Sequence, residues 1–159
     1  MPLRAVIPFS VAFGISFFSL VAVWHVWPWV ETVGMASALP ALVLAHGIRY
    51  LGVMFSITGV VRDELPEVFR KPATYGDLAA AFLAVIATFA LRGDWPLAVP
   101  LVWLFNIVGT AHFIGDLVVG RMFIRHPGHL GACFFHVTMF LPALLVTHAI
   151  IFYLLVFGV

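Results

Sequence analysis

Charge is what this sequence has least of: Asp, Glu, Lys and Arg make up 9% of its 159 residues, against about 25% in an average soluble domain. A chain so poor in charge cannot cover a folded surface with polar groups in water, which excludes an ordinary soluble domain. The single cysteine, Cys133, excludes an intrachain disulfide. A net charge of +1 leaves no basic excess of the kind that tracks nucleic acid, so no nucleic-acid partner is expected. Motifs of soluble enzymes are missing as well. There is no GxSxG, Walker loop, GxGxxG, HExxH or CxxC, and no serine stands convincingly near a histidine as a nucleophile. Whether the chain is an enzyme is left open by the sequence.

What is abundant is apolar. Hydrophobic residues reach 64% with a mean hydropathy of +1.13. A membrane span takes roughly 20 apolar residues, and five such stretches stand out, about Ile7–Trp29, Met35–Val61, Leu78–Leu91, Pro96–Gly120 and Leu130–Gly158. The expected fold is an all-α integral membrane protein, a compact bundle of about five transmembrane helices forming one domain over residues 1–159. The third stretch is the shortest. Ile7 to Val23 runs on into a Trp-rich segment without a small-residue cleavage pattern, so it reads as a retained helix and not a signal peptide. If all five stretches span, Arg4, Arg62, Arg70, Lys71, Arg121 and Arg125 share one side and Arg92 lies on the other. The positive-inside rule then makes the N-terminus cytoplasmic, with the bacterial inner (cytoplasmic) membrane as the expected location. Trp24, Trp27, Trp29 and Trp95 gather at the opposite interface as an aromatic belt. The one sizeable loop, Arg62 to Asp77, carries both signs of charge and reads as a cytoplasmic connector or a docking segment.

Two segments resemble each other: LPALVLAHGI, Leu39 to Ile48, and LPALLVTHAI, Leu141 to Ile150. Each sets a histidine at the same distance after a proline. Because the second and fifth helices run in opposite directions, the pair reads as a possible inverted repeat, an arrangement that places sites between the two halves.

Ionisable groups inside spans cost about 2.5–3.5 kcal/mol each on insertion scales, so they normally face the interior and have a partner or a function. His46, Arg49, His112, Asp116, His136 and His148 are such groups, with Asn106 and Tyr50 as uncharged companions. His46 and His148 fall at similar depth on different helices, as the axial ligands of a bis-histidine haem b must. Arg49 and Tyr50 would supply its polar surroundings. The alternative is a pair of neutral imidazoles bonding helix to helix. His112 and Asp116, one helical turn apart, with Cys133 and His136 offer a second donor set, whose chemistry suits zinc or copper. Finally, Arg49 and Asp116 are expected to form an ion pair between the second and fourth helices, since Asp116 is the only carboxylate inside the five stretches.

Five helices in a chain of this length resemble the tryptophan-rich sensory (translocator) protein family, which binds tetrapyrroles and sterols. GDWPLAVPLVW is the nearest stretch to its Trp–Pro signature and does not reproduce it. Histidines on the second and fifth of five helices resemble cytochrome b subunits of the nitrate-reductase type, which carry two on each helix where this chain has one central histidine on the second. Both likenesses are architectural, and the chain is assigned to neither family. The function expected is a small membrane-embedded cofactor-binding protein, a b-type haem protein in electron transfer or redox sensing. The alternatives are a non-catalytic membrane subunit or assembly partner, and a metal-dependent membrane enzyme or metal carrier. The expected partners are the lipid bilayer and other membrane subunits or a second copy of the chain.

Overall fold

A computed structural model describes residues 3–158; Arg4, one of the charges sorted above, has its side chain outside that description. Apart from an isolated bridge between Thr58 and Val61, the described regular structure is helical. Five helices are long and apolar enough to cross a membrane: α1 (Ala5–Val33), α2 (Met35–Ser56), α3 (Glu67–Arg92), α4 (Ala98–Phe123) and α5 (Cys133–Phe157).

Two of these helices contain a π-helical turn, Ala22–Val26 in α1 and His136–Phe140 in α5. Each lies two residues before a proline, Pro28 and Pro142. A proline ring clashes with the carbonyl four residues back, here that of Trp24 or Thr138, and both fall inside the widened turn. The π turn therefore absorbs the proline without ending the helix. In α5 the turn begins at His136.

The helix α1 is peripheral. It leans on α5 at Gly14, where an added methyl would meet Pro142 Cγ at 2.8 Å, and it leaves Phe9, Phe13, Phe17 and Trp24 exposed. At its far end Trp27 packs edge-on against Tyr153. The other four helices form the core. Buried alanines at 80, 81, 84, 87 and 90 give α3 a flat inner face, and small side chains of this kind let helix backbones approach closely.

Two apolar clusters fill the bundle. One holds Phe55, Phe69, Phe113 and Leu130, and the other Val43, Ala84, Phe105 and Ile151. Between them lie His46, Arg49, Asp77, Asn106 and His148, all buried. At one end, the loops after α2 and α4 are tied together by Arg62 N–H donating to the His129 carbonyl and Ala132 N–H to that of Val60. Gly131, at φ 53°, is required there, because a side chain would strike the Val60 carbonyl.

One boundary differs from the sequence reading in a way that governs the site. The third helix begins at Glu67, not Leu78, so most of the segment read as a loop is helical. Glu67, Arg70, Lys71 and Asp77 interrupt the apolar run that marks a span. On the helix, however, the first three face outward and pair with one another, Glu67 with Lys71 at 2.8 Å and with Arg70 at 3.3 Å. Asp77 faces inward.

Candidate functional site, a buried polar layer

The site begins with the local conformation of α2. After Ala45 the helix tightens, and residues His46–Ser56 form 11 residues of 3₁₀-helix, a form that rarely runs beyond about 3–4 residues. With about three residues per turn, every third side chain lies in one stripe. His46, Arg49, Gly52 and Phe55 are the buried residues of this segment and form that stripe. The same geometry turns Tyr50, four residues after His46, about 120° away. Tyr50 is 58% exposed, so it does not furnish the polar surroundings expected of it.

Arg49, with 0% exposure, is the centre of the first cluster. Its Nε donates to Asp77 Oδ1 at 2.9 Å, its Nη1 to the Gly109 carbonyl at 3.3 Å and its Nη2 to His112 Nδ1 at 2.8 Å. Its Cζ lies 3.7 Å from the Phe113 ring centroid, a cation–π contact. A guanidinium only donates, so His112 accepts at Nδ1 and carries its hydrogen on Nε2, which donates to the Pro72 carbonyl at 3.1 Å. Asp77 is held from both sides, since its Oδ2 accepts from His136 Nε2 at 3.1 Å. Three glycines make the room: an added methyl would collide with the Asp77 carboxyl at Gly52, with the His112 ring at Gly76, and with His148 and Arg49 at Gly109. Each hole in the helix packing is filled by a polar side chain from a neighbour.

The partner of Arg49 is thus Asp77 and not Asp116. The expectation failed because Asp77 was assigned to a loop. Asp116 instead lies 3.5 Å from His112 Nδ1 at the partly exposed margin of the cluster.

The second cluster is smaller and differently constituted. His46 and His148 come together with ring centroids 4.1 Å apart, each against Phe105 at 5.0 and 5.3 Å. The Asn106 Nδ2 donates to the His148 carbonyl at 3.1 Å, which orients the amide, and its Oδ1 accepts from His148 Nδ1 at 2.6 Å. The hydrogen of His148 is therefore on Nδ1, and Nε2 presents a lone pair. Among the described residues five buried side-chain atoms have no partner: His46 Nδ1, His46 Nε2 and His148 Nε2 in this cluster, His136 Nδ1 in the first, and Thr110 Oγ1.

His46 and His148, far apart in sequence, are therefore brought into contact, with Arg49 adjoining them across Gly109. The second donor set does not gather into one group. His112 and Asp116 lie on one side of the Arg49–Asp77 pair and His136 on the other, while Cys133 is buried in an apolar cluster. Among the described residues no three His, Cys, Asp or Glu side chains converge as a metal-binding group. The sequence reading missed Asp77 and the roles of Gly52, Gly76 and Gly109. The signal for the stripe was present in the spacing of His46, Arg49, Gly52 and Phe55, which has a period of three.

No curated protein and no solved structure matches this sequence. Residues 6–156 match the family described as Domain of unknown function (DUF8737), and with nearly the whole chain covered, the protein belongs to that family.

Proposed function

We propose that this protein is a small membrane-embedded cofactor-binding protein whose binding centre is the His46–His148 pair. The observation that carries it is the trio of unpartnered ring nitrogens on two residues that are 0% and 1% exposed. A buried polar atom without a partner costs about 1–3 kcal/mol, and the Arg49 cluster beside it leaves none of its guanidinium nitrogens unmatched. A centre that tolerates such a cost is built for something that supplies the missing bond. A b-type haem on this pair would have to lie between rings that touch, so it requires them to move apart. A smaller bound group needs less rearrangement. In this reading the five apolar helices lie in a bilayer, with the tied loops and their arginines at the cytoplasmic face of a bacterial inner membrane.

Absorption spectra of the purified protein, oxidised and dithionite-reduced, with metal analysis of the same sample, test the proposal. The expected result is a bound group that is lost in both His46→Ala and His148→Gln. Protein that is colourless and metal-free after growth with ample haem and metals would overturn it.

A second reading, that of a non-catalytic membrane subunit, is supported by the Arg49–Asp77 cluster, which joins α2, α3, α4 and α5 with each guanidinium nitrogen matched. It accounts for that cluster and leaves the imidazole pair without a purpose.

A further inference from the structure

We propose that Asp116 and His112 form a proton-binding pair, in which the Asp116 carboxyl takes up and releases one proton on the side of the tied loops. The pair is made of groups that the His46–His148 centre does not use, so it stands or falls apart from that centre.

The charges of the polar layer come first. Arg49 supplies one positive charge, and Asp77 neutralises it at 2.9 Å. Asp116 adds a further carboxylate, and among the described residues no lysine or arginine pairs with it. Arg70 and Lys71, on the adjoining α3, are turned outward to Glu67. The group that does reach Asp116 is His112, whose Nδ1 lies 3.5 Å from its Oδ2.

His112 does not neutralise it in this arrangement. Its Nδ1 accepts from Arg49 Nη2 at 2.8 Å, and a guanidinium has no lone pair to offer, so that nitrogen carries no hydrogen. The hydrogen of the ring is on Nε2 and goes to the Pro72 carbonyl at 3.1 Å. Asp77 Oδ1, 3.9 Å from the same Nδ1, brings a second negative charge close. From α5, His136 and His148 each keep one ring nitrogen without a partner and add no positive charge. An ionised Asp116 would therefore leave the layer with one negative charge in excess, on a side chain only 13% exposed. An unpaired carboxylate away from water is costly enough that the group takes a proton instead. The proton is thus on Asp116.

The route to water is short on one side. From Asp116 to Phe123, where α4 ends beside the tied loops, is about 10 Å at the helical rise. Inward, the next groups are Arg49 and Asp77. A guanidinium fixed in that position repels an incoming proton, so exchange is confined to the tied-loop side. Release returns one proton to water and leaves the carboxylate; uptake is the reverse.

Infrared spectra of the full chain in nanodiscs test the pair, taken as pH is raised from about 5, where exposed carboxyls are already ionised, to about 9. We expect one protonated-carboxyl C=O band that fades within this range and shifts in heavy water. It should be absent in Asp116→Asn and retained in Asp63→Asn, on the loop after α2. Aspartate labelled with carbon-13 at the side-chain carboxyl should move the band in the unaltered chain, which assigns it even where Asp116→Asn fails to fold. Nitrogen-15 spectra should show His112 as the neutral Nε2–H tautomer while the band is present. No such band, a band that survives Asp116→Asn, one that does not exchange in heavy water, or an imidazolium at His112 beside an ionised Asp116 would overturn the proposal.

Discussion

The two polar clusters of this bundle share Gly109 yet are built on opposite principles. Around Arg49 each donor nitrogen has an acceptor and the charge is balanced by Asp77. Around His46 and His148 there is no net charge to balance, and three ring nitrogens face no partner. His136 Nδ1 is the one ring nitrogen of the first cluster without a partner, but the charges of that cluster are all matched, and such a cluster resists change because removing a charged member strands the other. An unsaturated one gains from whatever completes it. The first therefore serves as the joint that holds four helices in register, and the second as the place where something binds.

The comparison breaks most visibly at Arg49. Removing either member of the pair alone, Arg49→Met or Asp77→Leu, leaves an uncompensated charge away from water, and about 3–5 kcal/mol is expected for a buried pair. Replacing both should recover much of that loss. Thermal unfolding of detergent-solubilised protein across the double-mutant cycle measures the coupling directly. Strong coupling of Arg49 to Asp77 and weak coupling to Asp116 is the expected pattern, and coupling near zero with Asp77 would dissolve the distinction between the clusters.

Glycine variants separate the two clusters at the next scale of effect. Gly52→Ala presses on the Asp77 carboxyl, while Gly109→Ala presses on both His148 and Arg49. Overpacking of this sort costs typically about 1–3 kcal/mol. Both variants should lower thermal stability, but only Gly109→Ala should also reduce the bound group found by spectroscopy and metal analysis. Equal loss of ligand in the two would mean that the clusters act as one.

How much of this was legible in the sequence follows from what sequence patterns encode. Five apolar helices are written in composition, because a span advertises itself through a long apolar run. The approach of His46 to His148 was visible in their matching depth. Asp77 was hidden by the same rule that revealed the spans: its neighbours Glu67, Arg70 and Lys71 are charged, and a charged run reads as a loop until the helix shows that they face outward. The tightened turn of α2 was hidden as well, since residues that suit an α-helix also suit a 3₁₀-helix and the choice is made by packing. Only the period of three from His46 to Phe55 carried it, and it turns Tyr50, which at α-helical spacing would share the His46 face, outward.

The smallest expected effect has the most telling sign. His46 is fully buried and neither ring nitrogen has a partner, so in the unliganded protein its polarity is a cost and not a contact. Leucine is close to it in size and carries no polar atom. His46→Leu should therefore leave the unliganded protein unchanged or stabilise it by about 1 kcal/mol, the lower range for an unsatisfied buried group, while abolishing the bound group. The same kind of substitution at Arg49 moves stability strongly downward, so the two clusters should respond to loss of polarity with opposite signs. Ligand-free protein, prepared with chelator and compared by thermal unfolding, gives the answer. If His46→Leu lost stability as Arg49→Met does, the imidazole pair would belong to the joint, and the unpartnered nitrogens would no longer argue for a ligand.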